Sequence, residues 1–536
     1  MPAFSQKLFY GMAPRSGSRV RRAGFSEKAL DVDLNHGEIR PLRTNSVVQS
    51  APAGTKSIYK LDCCFLTFDS CVSVADGACD DRAFITGSAD YPESIATTGC
   101  EIDSCRLGMP CKFSAPDAQA AAAATLTKDH AAKSYVYCYK NKWGEISAPS
   151  YPSDIVYVKD GDAVVLSGFA AQDPSYCITS ILIYRTETSK DRGNETTNAA
   201  NSASLLVAEI PATQGSYSDT VLAKDLGTAL ETEGFAPPPK GLQGISRIKD
   251  LNVLFGFDGK QLHFSEINNF HHWPDEQVIT LDDTVRAVCE VDGQIYVATD
   301  GFPYTVGAAP ADNGSREVFK HKVAHRMIGD KKGFAALPNG MVYVSEVGVI
   351  LLGGKSIPTI LTDAYLAPSD WQQLQPHSIH LQYWNSDLYI FGKVKSFSVR
   401  IPRTGEAAEE AHGLIQITDM PTDSYVDRRN QMFLLQNGQI EHFRNGTAYR
   451  NYIYRSTETH LGGDVSMTSA KVMGSGNVAI EMFNEARSRL NRPVRMNRIF
   501  RLPRQGKWID LVYELRGTGI VKSVEIGTSH IENSAN

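Results

Sequence analysis

The sequence has little that would place it in a membrane or mark it as an enzyme. No run approaches the ~18–20 apolar residues that a membrane-spanning helix needs, and none is expected in its 536 residues. The opening stretch, MPAFSQKLFYGMAPRSGSRVRRAG, lacks an apolar core followed by a small-residue cleavage site, so no secretory signal peptide is expected. HExxH, GxSxG and GxGxxG motifs are all missing. Positive charge is also short: 54 Lys and Arg against 60 Asp and Glu give a formal net charge of −6. That balance argues against a protein that grips DNA through its overall charge, and leaves open a local basic patch.

Helical signals are few. Residues 117–133 (DAQAAAAATLTKDHAAK) contain an Ala run that reads as a short helix or a linker, and GFSEKALDVDL has room for a turn or two of helix. Elsewhere, short alternating runs are bounded by Gly, Asp, Asn or Pro, the pattern of half-buried strands. With 42% hydrophobic residues the chain can bury real cores, and its length suggests about three domains.

The expected fold is mainly β. Residues 1–133 form an N-terminal β region with a Cys-rich segment, able to contribute propeller strands. Residues 134–235 hold strand-like runs at near-regular spacing and predict a fibronectin-III-like β-sandwich, inserted in or preceding the body. The prolines of APPPK (236–240) end that module, because successive prolines cannot continue a ladder. Residues 236–496 then repeat a unit of turn, hydrophobic-aromatic strand, turn and strand. The leading strand residues are Val253, Ile295, Val342, Leu388 and Met432, spaced by 42, 47, 46 and 44 residues. A hairpin repeat with a period in the mid-forties predicts a β-propeller with one four-stranded blade per repeat, and neighbouring chain able to add one or two blades. Residues 497–536 supply closing strands or a small terminal sheet.

Ten cysteines are unevenly placed, with seven of them (Cys63, Cys64, Cys71, Cys79, Cys100, Cys105 and Cys111) within 49 residues. No CxxC pair occurs and the spacings match no zinc finger. Reduced structural thiols are the first reading; disulfides formed after release from the cell and a metal site are the alternatives. Cys138, Cys177 and Cys289 read as small buried hydrophobes.

The near-misses resolve into structure rather than chemistry. Gly348–Ser356 resembles a phosphate loop but is one residue too long and is followed by Ile357-Pro358, so a hairpin is expected. Asp31 to Gly37 resembles the start of a calcium loop, but the Gly is one place late and position twelve is Leu42, so a turn is expected. His271-His272 beside Trp273-Pro274 reads as an inter-blade turn with packed rings. Asp80-Asp81 and Glu93 are the only carboxylates suggesting glycan hydrolysis. The acidic run 404–411 is read as a solvated outer loop. No catalytic, cofactor-binding or metal-binding residue is assigned, no cofactor is expected, and an architectural protein is favoured over an enzyme.

Several segments resemble the tail nozzle proteins, or tail tubular protein B, of short-tailed bacteriophages. AGFSEKALDVDLNHGEIRPLR (23–43) is similar to the family's opening, and DDRAFITGSADYP (80–92) and RLGMP (106–110) to its next two motifs. SYVYCYKNKWGEISAPS (134–150) and ILIYRTET (181–188) resemble its sandwich strands, FSEINNFHHWP (264–274) its "FSE…WP" turn, and RGTGIVKSVEIGTS (516–529) its closing strand. The expected Asn of the opening motif is shifted to Asn35, and the Cys-rich segment is a further departure. The resemblance implies a virion tail component made in the host bacterial cytoplasm. It implies a ring homo-oligomer, usually a hexamer, that contacts adaptor or portal-side proteins and tail fibre or needle proteins while double-stranded DNA passes through during genome ejection, and it makes a channel lining the alternative reading of the acidic run 404–411. The alternative is a receptor- or glycan-binding tail appendage or baseplate propeller, motivated by Tyr304, Tyr365, Trp371 and Trp384 as exposed ring faces.

Overall fold

The computed structural model describes residues 4–15, 24–77, 82–98, 100–121, 127, 130–186, 203–311, 314–353, 356–401, 413–484, 487–502 and 507–529. The chain divides into two compact units. The larger holds Met1–Lys60, Phe65–Cys71 and Cys289–Asn536; the smaller holds Leu61–Cys64 and Val72–Val288.

The hydrophobic-aromatic strands of the repeat are the second strands of successive antiparallel meanders. Val253–Asp258, Gln294–Thr299, Gly340–Val344, Asp387–Phe391 and Met432–Gln436 each occupy that place and are buried along almost their whole length. A strand sandwiched on both faces must be apolar at successive positions, which is why these runs do not alternate. Tight turns follow from the sequence: Asp292-Gly293 and Asn437-Gly438 both take positive φ, as a two-residue hairpin loop requires. The body is a β-propeller. In the larger unit the strand His380–Trp384 packs on Phe334–Leu337 of the preceding blade, and Asp423–Val426 packs on His380–Trp384 in turn.

Six such sheets occur among the described residues. The smaller unit has two, Ser73–Arg106 and Gln243–Thr280, which share a core of Ala75, Phe84, Leu107, Ile245, Leu254 and Trp273. Three belong wholly to the larger unit, which also holds Gln294–Thr299, Tyr304–Gly307 and Val318–Lys320 of the sixth. The last of them in chain order takes its fourth strand from far upstream. Ser46–Ser50 lies antiparallel to Gln439–His442, with Ser50 opposite Gln439 and Ser46 opposite His442.

The two chain ends meet in the larger unit. Phe4–Gln6 pairs with Ile520–Gly527, and Ile39 bridges to Val521. Ser26–Leu30 pairs with Tyr452–Ser456, which continues through Trp508–Gly517 and Val478–Asn484 to Arg487–Pro493. These strands bury Phe9, Ile39, Tyr454, Ile480, Tyr513 and Val524 in one core. The glycines of RGTG are needed here: a Cβ on Gly517, whose φ is +152°, would lie 2.2 Å from the Asn477 carbonyl oxygen. GFSEKALDVDL is thus strand (Ser26–Leu30, Val32–Asp33) and not helix; pairing with Tyr452–Ser456 overrides the local preference of Glu, Lys, Ala and Leu.

A two-sheet sandwich occupies the smaller unit. One sheet joins Tyr135–Asn141, Ile178–Thr186 and Ser204–Pro211; the other joins Asp117–Ala120, Val164–Ser167 and Ser216–Asp219. Tyr135, Tyr137, Tyr139, Ile181 and Ile183 face Val158, Val164 and Leu166 across the core. The Ala-rich segment opens as the strand Asp117–Ala120 and ends as the strand Ala131–Lys133; residues 122–126 and 128–129 lie outside the described residues. Pro368–Gln373 is the one α-helix among the described residues.

Candidate functional site

Each near-miss motif has a structural destination. Asp31 is buried at φ +52°, and its carboxylate accepts hydrogen bonds from the Thr418 amide (3.0 Å) and hydroxyl (2.9 Å). Asp33 accepts from the Asn35 amide and shapes the turn between Val32–Asp33 and Arg40–Pro41. Val349–Leu352 of the phosphate-loop look-alike is the third strand of a blade; Gly354 and Lys355 lie outside the described residues. His272 stacks on Phe235 at 4.2 Å and Trp273 is buried, donating its indole N–H to the Phe270 carbonyl. Burial lowers the His271 pKa. Glu93 accepts from the Ser88 hydroxyl, while Asp80, Asp81 and the run 404–411 lie outside the described residues.

The cysteine expectation needs correction. Cys64 pairs with Cys100, and Cys105 with Cys177, so Cys177 is a bonded half-cystine rather than a small buried hydrophobe. The reason is topological: Cys177 follows a short turn at Pro174–Tyr176 that brings it to the Glu101–Arg106 strand. Cys138 and Cys289 are buried free thiols as read, and Cys63, Cys71 and Cys111 are also free. The sulfur atoms of Cys63, Cys64 and Cys100 lie within 4.8 Å of one another, but two of those three donors are committed to each other. The aromatic expectation fails too. Tyr304, Tyr365 and Trp371 are buried, and half-buried Trp384 packs edge-on to Phe443 at 5.6 Å. They fill the body and offer no ring face to a sugar.

The polar groups that the structure does bring together lie where the upstream segment 31–60 joins the last blade. Arg450 grips Asp419 with both guanidinium arms (2.7 and 3.0 Å), reaches Asp31 at 3.4 Å and donates to the Asn45 side-chain carbonyl at 2.8 Å. Asn45 in turn donates to Asp419 and Glu441. Burial opposes the Arg450 charge, but Asp419 and Asp31 outweigh it and raise its pKa. A second cluster is built on Lys332, whose ammonium lies 2.8 Å from Asp423 and also donates to the Lys56 carbonyl. Asp423 accepts from the Ile58 amide at 2.7 Å, and its pKa is raised by burial against the pull of Lys332. Both clusters weld one continuous upstream stretch to residues 276 to 419 positions later. Nothing in local spacing marks Asn45, Asp419 or Arg450, so sequence reading passed over them.

His380 sits beside the second cluster. Its ring packs on Phe391 at 4.8 Å and its Nε2 lies 3.2 Å from the Ser424 hydroxyl. Burial, helped by Lys332, pushes its pKa from 6.5 down to about 3. Below the unfolded value of 6.5 the unfolded chain therefore takes a proton that the folded chain refuses, and stability falls with pH. The loss expected from this residue is about 2 kcal/mol by about pH 5. Comparing wild type with His380→Gln across a pH series isolates it, because the opposing contribution of Asp423 is common to both. A difference that stays constant from pH 7 to 5 would contradict the assignment.

No protein-family model matches the chain, and no curated protein matches it significantly. Among solved structures, it is similar to the WD40 β-propeller domain of Doa1, at 7% identity and a TM-score of 0.27, covering 76% of this chain and 98% of that one. It is also similar to the AfRom2 CNH domain, at 10% identity and a TM-score of 0.27, covering 74% and 98%. The fold described above rests on the chain's own strand pairing.

Proposed function

We propose that this chain is a structural component of a bacteriophage tail, a nozzle or tube protein that assembles into a ring around a channel for genome ejection. The observation that carries the reading is where the resembling motifs fall. The opening and closing motifs, nearly 500 residues apart, form one structural element: Ile39 bridges to Val521, and Leu30 pairs opposite Ile453 on the strand that runs beside Trp508–Gly517. Between them lie a sandwich and a body of propeller blades, in the order that the resemblance implies. In this reading the work is done by shape. A closed ring of identical copies uses head-to-tail contacts, so each copy must present two different complementary faces. A body stiffened by buried ion clusters suits that demand.

Purified full-length protein is expected to elute as a closed homo-oligomer in mass-resolved chromatography and to show rings with an axial opening by negative stain. A monomer that is absent from purified virions would overturn the proposal.

A further inference from the structure

The whole-chain charge conceals a strip of opposite sign. Residues 486–509 contain no Asp or Glu, and from Arg489 to Lys507 every third residue is Arg or Lys. Residues 487–507 hold seven Arg and one Lys, a charge of +8; subtracting it from −6 leaves −14 for the rest of the chain.

The fold turns the cations at 495, 498 and 501 outward. Arg487–Pro493 is the last strand of the long sheet, paired with Val478–Asn484, and Ile499–Arg501 is the last strand of the four-stranded sheet, paired with Ser469–Ser475. The chain therefore runs from one sheet edge to another. Its apolar residues point inward: Phe500 and Leu502 are buried, and Val494 and Met496 pack on the same core. The cations between them are left in water. Arg495, Arg498 and Arg501 are exposed, and no carboxylate lies within 4.0 Å of any of them among the described residues. The strip is also pinned. Asn497, at φ +61°, donates its side-chain N–H to the Gly474 carbonyl and accepts from the Gly474 amide, both at 2.9 Å. The Arg492 guanidinium is held 5.1 Å over the Phe500 ring.

We infer that this strip binds the phosphodiester backbone of double-stranded DNA, without regard to sequence. Two features favour a polyphosphate over an acidic protein face. The basic residues from 492 to 502 are all arginine (Arg492, Arg495, Arg498 and Arg501), and the guanidinium fork matches phosphate oxygens in pairs. The exposed positions from 491 to 501 are Asn491, Pro493, Arg495, Asn497, Arg498 and Arg501, with no large apolar side chain among them. Protein–protein interfaces have apolar, aromatic cores, whereas nucleic-acid interfaces are polar and cationic. The choice of DNA among polyphosphates rests on the conduit reading. The strip would hold the passing duplex by a few contacts while the acidic remainder of the chain repels it.

The test is binding of full-length protein to a fluorescently labelled random-sequence duplex by anisotropy, over a salt series, with the oligomeric state of the same preparation measured by light scattering. Neutralising three phosphates steepens the log–log salt slope by about 2.7, so raising salt fourfold should weaken wild type about 40-fold more than Arg495→Glu/Arg498→Glu/Arg501→Glu. The variant should keep the wild-type circular dichroism and melting temperature, because all three side chains are exposed. Equal salt slopes, no wild-type binding at low salt, or a variant that loses only its oligomeric state would each overturn the inference. A monomer that binds DNA through the strip would sink the ring and leave the strip standing; a ring that does not bind would do the reverse.

Discussion

Arg450→Ala is expected to lower the unfolding free energy of the larger unit by about 3–5 kcal/mol, one of the largest single-residue effects in the chain. The reason lies in what stays behind. The Asp419 and Asp31 side chains are only 4% and 5% exposed, and both carboxylates would lose their cation while remaining out of water. Asn45 would lose one of the two donors to its carbonyl, keeping only the Arg444 amide, and with it part of the tie between the strand Ser46–Ser50 and the last blade. Arg450→Lys should recover only part of the loss, because an ammonium cannot reproduce the two-armed grip on Asp419. Arg326→Ala is the matching control. That side chain also pairs with a carboxylate, Glu346, but the two are 57% and 49% exposed, and such pairs contribute at most about 1 kcal/mol. Chemical denaturation followed by hydrogen exchange in Ser46–Ser50 would read the effect. If Arg450→Ala and Arg326→Ala melt alike, the Arg450 cluster is not what closes the body.

The contrast between these two arginines also shows what a sequence can reveal. The second strands of the blades were legible, since double-sided burial writes a continuous apolar run and the Asp-Gly and Asn-Gly turns fix its ends. The fourth strand of the last blade was not. Ser46–Ser50 is a short, mostly exposed run (SVVQS) whose partner lies about 390 residues downstream, and no periodicity connects them. The blade at Ser73–Arg106 was hidden for a related reason: the sandwich separates it from Gln243–Thr280, so it breaks the spacing of the later five. The Arg450 and Lys332 clusters were invisible because their members are ordinary polar residues, made unusual only by burial and by meeting across the fold. The basic strip was legible but masked by a whole-chain average; reading charge in windows of about twenty residues would have found it.

The same physics gives the second large effect, in the sandwich. Asp219→Ala is expected to destabilise that module by about 3–5 kcal/mol. Arg185 and Asp219 are both 1% exposed and 2.7 Å apart. The Asp219 carboxylate also accepts the Tyr135 hydroxyl at 2.8 Å and the Val221 amide at 2.8 Å, so one side chain serves strands of both sheets. Burial, and then Asp219, push the Tyr135 hydroxyl pKa far above its usual value, so the tyrosine stays a donor at any working pH. Removing the carboxylate leaves a guanidinium in the core with the Val221 carbonyl among its remaining contacts. Replacing both partners is a different experiment. Arg185→Met/Asp219→Leu removes the buried charges together, and such swaps are often neutral or stabilising by about 1–4 kcal/mol. The double variant should therefore be more stable than Asp219→Ala. Because the chain has more than one unit, a single melting temperature would blur the result. Hydrogen exchange on peptides spanning Tyr135–Asn141 and Ile178–Thr186 reads the sandwich alone. Protection there should collapse in the single variant and return in the double one. If the double variant is the worse of the two, the pair contributes net stability, and the argument from a stranded charge is wrong for this site.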